Sequence, residues 1–453
     1  MQPIPVRGGS SLRGLMRPAR RIHRRHAIAA AAVAAPIIAI GSLTAAALAQ
    51  PTPGSVVPAA SDFAFGQAAA TRLSRGGLWA GPTDAATLSR DATRRELVML
   101  LQSVMALPSG PLGATWRDVA ADDPQGAAAR RAVQRGWLAA IGGQVALDTP
   151  LTGMDANRAW TLALGMGRAV TRLTRFADGS GRRFALPAGF ATAIAARESG
   201  LRRNYPTAAD EHERTDQQPL RLADLVLMAS RGREIRRRGL PASARALRAF
   251  SIPAVDPVVV PLVQRALNLV GNPYVWGGEW PDRNSPLDPQ AAGGFDCSGF
   301  VWYVWRTGDR AAETAINVPD GRTTYTMNVG TRGKRIAWNR AGAGDLVFFG
   351  SRGLRTPLNQ ASHMGISLGN KWMIHSSGGR GGVTISYLPT YWPRGLQNAR
   401  TFRVSDTVPA APDAPGAGPP SAEAPSTAPV APAPGAPQAP APVTGGGAQP
   451  PAP

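Results

Sequence analysis

Gly293-Gly-Phe-Asp-Cys-Ser-Gly-Phe300 holds the only cysteine of this 453-residue chain, Cys297. Glycines and an aspartate precede the cysteine, and the apolar run Phe300-Val-Trp-Tyr-Val-Trp305 follows it. That order reads as a turn opening into a buried helix. In an exported chain a single cysteine cannot close an internal disulfide, which leaves a buried apolar sulfur, an intermolecular link or a reactive thiol. A lone cysteine before an apolar helix is ordinarily a small core residue. Here the thiol sits at the helix N-terminus, where the positive end of the helix dipole stabilises a thiolate. A nucleophile of that kind needs a base.

Working outward, two of the five histidines follow the cysteine. Ser362-His-Met-Gly-Ile-Ser-Leu-Gly369 alternates small and apolar residues and reads as a strand carrying His363. Lys371-Trp-Met-Ile-His-Ser376 reads as the next strand, carrying His375, with Gly369-Asn370 as the turn signal between them. Histidines on two paired strands can lie side by side. One can take the thiol proton while the other holds the first imidazole in the right tautomer.

Five segments in order, Tyr274-Val-Trp-Gly-Gly278, Asp296-Cys-Ser-Gly299, Gly344-Asp-Leu-Val-Phe-Phe349, His363-Met-Gly-Ile366 and Ile374-His375, resemble the successive motifs of NlpC/P60 cysteine peptidases, papain-like enzymes that cut peptidoglycan stem peptides. The resemblance spans roughly 258–403. It implies Cys297 as nucleophile, His363 as general base and His375 as the orienting third residue. It also implies that Tyr274, Asp296 and Ser298 line the substrate groove. Asp345, at the turn into Gly-Asp-Leu-Val-Phe-Phe, reads as structural, and the Phe and Trp residues at 300–305 read as core.

The expected catalytic domain, 252–404, is α+β: a small antiparallel sheet with the nucleophile helix packed against it. Pro261-Leu-Val-Gln-Arg-Ala-Leu-Asn-Leu-Val270 is an amphipathic helix with proline in its first turn, ended by Gly271-Asn-Pro273. Val383–Ile385 and Thr401–Val404 are expected to add outer strands. Two segments depart from the family pattern. Glu279–Gly294, with Trp280, Asp282, Arg283 and Asp288, is longer than usual and reads either as a lid over the groove or as a tolerated surface loop. Asn317-Val-Pro-Asp-Gly-Arg-Thr-Thr324 replaces the usual segment after the nucleophile helix.

Residues 61–240 read as a mostly α-helical domain of short helices separated by turns. Arg94–Met105 has helical spacing, with Thr93 and Glu96 as a capping box. Ala127–Leu138 is a second helix. Thr152-Gly-Met-Asp-Ala-Asn-Arg-Ala-Trp160 restarts the first pattern, and Gln218–Met228 looks like a third start, so the region reads as a degenerate internal repeat. The unit Trp-Arg-Asp-Val, helix, Gly-Trp-Leu, Pro-Leu-Thr-Gly resembles the S-layer homology module, a wall-polymer-binding repeat. Its Thr-Arg-Ala-Glu signature survives in part, as Thr93-Arg-Arg-Glu96 and Leu220-Arg-Leu-Ala-Asp224. The plainer reading is a helical domain that only positions the catalytic one. His212, among Asp210, Glu211 and Glu213, reads as solvated surface with no metal-ligand spacing.

Seven arginines and no acid between Arg7 and Arg25 precede the alanine-rich run Ala27–Ala49, and Ala47-Leu-Ala49 fits a signal-peptidase site. Residues 1–49 thus read as a signal peptide of a secreted, wall-associated protein; an uncleaved membrane anchor is the alternative. Residues 50–60 read as a linker, and 405–453, rich in Pro, Ala and Gly, as a disordered tail. The formal charge is +21; losing residues 1–49 removes seven positive charges and leaves +14. A basic surface is drawn to an anionic wall polymer. With no interleaved basic-aromatic platform and no nucleic-acid motif, nucleic-acid binding is excluded.

The function implied is a cysteine endopeptidase acting on peptidoglycan stem peptides, with the D-glutamyl–diamino acid bond favoured by the resemblance and no metal or organic cofactor. Its rivals are an amidase or acyltransferase using the same Cys-His pair, and a catalytically silent wall-binding scaffold.

Overall fold

The computed structural model describes residues 59–110, 116–140, 142–308 and 317–402. The expected signal peptide, the tail and nearly all of the linker lie outside these residues. Among the described residues no helix is long and apolar enough to cross a membrane.

The first part of the chain is helical: α1 (Ala64–Arg75), α2 (Ala85–Leu88), α3 (Arg94–Met105), α4 (Gly126–Gln134), α5 (Gly153–Ala163), α6 (Gly167–Thr174), α7 (Phe190–Glu198), α8 (Leu222–Arg238) and α9 (Ala242–Ala246). The expected capping box forms: Thr93 Oγ1 accepts from the Glu96 N–H at 3.2 Å, and Glu96 Oε2 accepts from the Thr93 N–H at 2.9 Å. Thr152 caps α5 by its side chain alone, accepting from the Asp155 N–H at 3.1 Å. The helix expected to run to Leu138 ends at Gln134, because the chain turns at Gly136 with φ of 68°, a backbone that glycine adopts at little cost.

The three helix starts meet in a closed ring. The Ala92 N–H donates to the Leu220 carbonyl, the Leu220 N–H to the Leu151 carbonyl and the Leu151 N–H to the Ala92 carbonyl, at 2.8, 2.7 and 2.8 Å. Each of these residues lies two positions ahead of a helix, so α3, α5 and α8 radiate from one hub. Around it pack Leu97, Leu101, Trp160, Leu225 and Met228, all fully buried.

The second part contains α10 (Val260–Asn268), α11 (Cys297–Arg306), α12 (Thr324–Val329) and α13 (Leu388–Tyr391). Its strands are β1 (Glu279–Trp280), β2 (Gly294–Phe295), β3 (Lys334–Ile336), β4 (Ala343–Phe349), β5 (His363–Gly369), β6 (Trp372–Ser377), β7 (Gly382–Tyr387) and β8 (Leu396–Thr401). β1 and β2 form a short hairpin. The other six make an antiparallel sheet in the order β3-β8-β4-β5-β6-β7. The fold is therefore α+β, with a papain-like half preceded by a mostly helical one. Asn370 and Lys371, both at positive φ, make the two-residue turn between β5 and β6. The last strand differs from expectation: it begins at Leu396 and lies inside the sheet, between β3 and β4, instead of on its outside. Its buried Ala399 and Leu396 pack with Val347, Phe349 and Met373 on the outer face of the sheet.

One apolar core joins the two halves. Phe176, Phe190, Ile194 and Phe250 pack with Leu262, Val263, Phe300, Val304, Met364 and Ile374. The Phe250 ring meets Phe176 and Trp372 edge-on at 5.0 and 5.1 Å. Polar ties cross the same boundary. Buried Arg197 donates to Asp216 at 2.6 Å and to the Gly381 carbonyl at 3.3 Å, and the Asp216 N–H donates to the Gly271 carbonyl at 3.0 Å. A buried charge is tolerated only when paired and hydrogen-bonded in this way.

His212 departs from the expected solvated position. It packs against Phe63 and Tyr205, with Nε2 3.4 Å from Asp62. Asp210 and Glu213 are buried as well. The reason is tertiary: the short turn carrying them meets Asp62 and Phe63, just ahead of α1, and the Trp276 N–H, which donates to Asp210.

Candidate active site

α11 begins at Cys297 as the glycine-aspartate sequence requires. Asp296 is its N-cap: Oδ1 accepts from the Gly299 N–H at 2.6 Å and from Ser298 Oγ at 2.9 Å. Gly299 is needed because a Cβ there would run into the Gly278 carbonyl oxygen. That approach is close because the Asp296 N–H donates to the same carbonyl at 2.8 Å. The Tyr274-Val-Trp-Gly-Gly loop is thereby stitched to the nucleophile turn, reinforced by Val275 N–H to Phe295 O at 3.2 Å.

Cys297 is 8% exposed, with its thiol 3.4 Å from Thr324 Oγ1, and the Met364 backbone N–H is among the groups that favour its charged form. It is thus placed at the start of β5, one residue from His363. His363 Nε2 lies 2.7 Å from His375 Nδ1, with the rings 5.0 Å apart and nearly perpendicular. Because Nε2 is engaged, Nδ1 is the nitrogen His363 has left for the thiol. Tyr391 leans on both imidazoles, at 5.6 and 4.6 Å, and its hydroxyl is 3.1 Å from Ser377 Oγ.

The expected ionised sulfur is not what the site holds at rest. Burial, with Asp296 beside it, pushes the thiol up to about 11, against the weaker opposing pull of Thr324, Met364 N–H and Arg322. Burial pulls His363 down to about 3 and His375 well below the ordinary imidazole value. Desolvation disfavours every charged form, and here it outweighs the helix dipole. The resting pair is neutral thiol and neutral imidazole.

Of the residues expected to line the groove, Asp296 and Ser298 lie on the thiol-bearing turn. The Tyr274 ring, packed against Gly378, has its hydroxyl pushed upward by burial and by the nearby Cys297, Asp296 and Asp210. Asp345 is structural: Oδ2 accepts from the Gly342 N–H at 2.7 Å.

Residues the sequence reading passed over complete the site. Arg322, in the segment after α11, donates to Glu279 at 2.6 Å and to Ser298 Oγ at 3.0 Å, and lies 3.6 Å from Asp296. The insert at 279–294 is bound down as a hairpin. Gln290 Nε2 donates to the Trp280 and Ala292 carbonyls, both at 2.7 Å, and Trp280 meets Tyr303 edge-on at 4.9 Å. These contacts pin the insert in place. Trp276 and Tyr325, 53% and 47% exposed, stand on either side of the nucleophile in sequence as apolar groups open to a ligand. From the helical half come Asp210, which accepts from the Trp276 N–H at 2.8 Å, and Glu198, 2.6 Å from Ser386 Oγ. One sequence signal pointed to Glu198. The helix Phe190-Ala-Thr-Ala-Ile-Ala-Ala-Arg-Glu198 is apolar on all sides yet ends in two charges, and a helix of that kind is buried.

The NlpC/P60 family profile matches residues 271–401. The probable peptidoglycan endopeptidase LytE of Bacillus subtilis is 38% identical over 142 residues, which is 31% of this chain and 34% of that protein. The bifunctional muramidase/DL-endopeptidase CwlT of the same species is 35% identical over 133 residues, 29% of this chain and 32% of that one. This chain thus spans about a third of the length of these relatives. Among solved structures, the peptidoglycan hydrolase RipB of Mycobacterium tuberculosis is 30% identical, with 32% of this chain and 64% of that chain covered and a TM-score of 0.25. Residues 271–401 of this chain are an NlpC/P60 family domain.

Proposed function

We propose that the protein is a cysteine endopeptidase that hydrolyses peptide bonds in peptidoglycan stem peptides. The observation that carries the reading is the 2.7 Å His363–His375 pair, with buried Cys297 in the same core as Met364, the neighbour of His363. The names of the relatives, peptidoglycan endopeptidases among them, support the substrate class.

In this reading the neutral thiol is deprotonated as it attacks. Cys297 Sγ forms a bond to the stem-peptide carbonyl carbon while its proton passes to His363 Nδ1. The Cys297 backbone N–H, at the first position of α11 where the helix offers it no partner, is placed to donate to the oxyanion. The tetrahedral adduct expels the amine, which takes the proton from His363. Water then attacks the thioester, gives a proton back through His363, and restores the thiol. His375 holds the His363 ring in register. Asp296, Ser298 and Tyr274 form the polar wall facing the substrate, with Arg322 and Glu279 bracing it. The D-glutamyl–diamino acid bond is the favoured target.

The helical half is read as a wall-polymer anchor of S-layer homology type. The ring joining Ala92, Leu151 and Leu220 supports the repeat on which that reading rests. An N-terminal export signal and a wall-associated location complete the proposal.

The test is mass spectrometry of fragments released from purified peptidoglycan by the full chain. Wild type is expected to release stem-peptide fragments and Cys297→Ala none, while both co-sediment with insoluble wall. Release by Cys297→Ala at the wild-type rate removes the enzymatic reading. Products bearing a transferred acyl group would favour the transferase alternative.

A further inference from the structure

Behind the two histidines the hydrogen bonding does not stop. His375 Nε2 is 2.9 Å from Ser386 Oγ, and Ser386 Oγ is 2.6 Å from Glu198 Oε1. The chain Glu198–Ser386–His375–His363 runs from α7 of the helical half through β7 and β6 to β5. Glu198, Ser386 and His375 are each fully buried. The family-like site needs only one residue behind the base histidine; here there are three, and the last comes from outside the matched residues 271–401.

We propose that Glu198 is a positioning residue that, through Ser386, sets the tautomers of both histidines and so leaves His363 Nδ1 free to take the thiol proton. An ionised carboxylate can only accept, so the Ser386 hydroxyl must give its single proton to Glu198. Ser386 Oγ can then only accept from His375, which fixes the His375 proton on Nε2. His375 Nδ1 is left as a lone pair and accepts from His363, which fixes the His363 proton on Nε2. His363 Nδ1 is therefore the unprotonated nitrogen. If Glu198 instead donated, each bond would reverse. Ser386 would donate to His375, His375 Nδ1 would donate to His363 Nε2, and the His363 proton would sit on Nδ1, facing the thiol and blocking its transfer.

The groups packed around Glu198 bear on which direction holds. Burial is the largest influence on Glu198 and pushes its carboxyl above the usual range; Arg380, from the turn between β6 and β7, lies 3.6 Å from Oε1 and pulls the other way, toward the carboxylate. Ser386 and Thr384 on β7 also favour the carboxylate. Ser243 on α9 donates to the Glu198 carbonyl at 2.7 Å and locks the helix end. Tyr391 on α13, its hydroxyl pushed up by burial, stays neutral beside His375. The consequence is that the helical half is a working part of the site and not only an anchor.

The inference rests on His363 being the base, but its first readout does not require turnover. Selective 15N labelling of histidine in the full chain reports which ring nitrogen of each residue carries the proton, with His363→Gln and His375→Gln spectra making the assignments. The expected result is an Nε2-protonated neutral tautomer for both His363 and His375. A wild-type His363 protonated on Nδ1 overturns the proposal, whatever the variants do. In Glu198→Gln and Ser386→Ala, His375 is expected to shift toward a mixture of tautomers. With muropeptide substrate, kcat is expected to fall tenfold to a hundredfold with KM nearly unchanged. Unchanged tautomers and kcat in both variants would also overturn it. The expected tautomers in a chain that releases no peptide would leave this assignment standing and remove the enzymatic reading instead.

Discussion

Arg322 Nε lies 2.6 Å from Glu279 Oε2, and that pair ties the segment after the nucleophile helix to the start of the hairpin before it. Through its other nitrogens Arg322 also reaches Ser298 and the Gly277 carbonyl, at 3.0 and 3.2 Å. One guanidinium thus spans three stretches of chain that border the thiol.

Arg322→Ala is expected to free Ser298 and Glu279 and to lower kcat/KM for muropeptides at least tenfold. The loss of hydrogen bonds to charged groups is expected to cost about 1–3 kcal/mol of stability, read by thermal and denaturant unfolding. Arg322→Lys is expected to recover little of either, because an ammonium cannot reproduce the planar fork.

Asp296→Asn separates the electrostatic role of the N-cap from its geometric one. The amide oxygen can still accept from the Gly299 N–H, so stability is expected to fall by no more than about 1 kcal/mol. Removing the negative charge beside the sulfur lowers the thiol pKa, since Asp296 is among the causes that raise it. Alkylation of Cys297 by iodoacetamide should then quicken at neutral pH while peptide release slows. Slower alkylation in this variant would contradict the assigned charge effect.

The pH behaviour follows from a neutral pair. Cys297 ionises only toward about 11, so wild-type alkylation without substrate should keep rising through the alkaline range. His363, pulled to about 3, is an unprotonated base well below its ordinary 6.5, so the acid limb of turnover assigned to it should lie below the usual histidine range. The same shift has a stability sign. Between the folded value and 6.5 the unfolded chain binds more protons, so the contribution of the two imidazoles is present above 6.5 and lost as pH falls. The wild-type minus His375→Asn difference in unfolding free energy should therefore shrink on acidification.

The two histidines should differ in kinetic weight. His363→Ala removes the proton acceptor and is expected to match Cys297→Ala in eliminating release. His375→Asn keeps a polar partner for His363 and is expected to retain a residual rate, about a hundredfold to a thousandfold below wild type, measured under saturating substrate.

The helical hub offers a separate stability test. Thr93→Ala deletes the cap of α3 at the ring of Ala92, Leu151 and Leu220. A loss of about 1 kcal/mol is expected from the cap alone. Because α3 shares its buried core with α8, near-UV circular dichroism should show the region loosening together.

What the sequence determined by itself was whatever depends on neighbours along the chain. The N-cap at Asp296, the helix beginning at Cys297, the hairpin placing His363 and His375 side by side, and the three helix starts near Thr93, Thr152 and Arg221 all follow from local periodicity and capping chemistry. Contacts between distant segments were decided only on folding. Glu198 and Ser386 are 188 positions apart, and Arg322 and Glu279 are 43 apart, spacings that no helical or strand period encodes. The protonation of the thiol belongs to the same class. A helix N-terminus predicts an ionised sulfur from the chain alone, but desolvation is a property of everything packed around it, and only the assembled core sets its size.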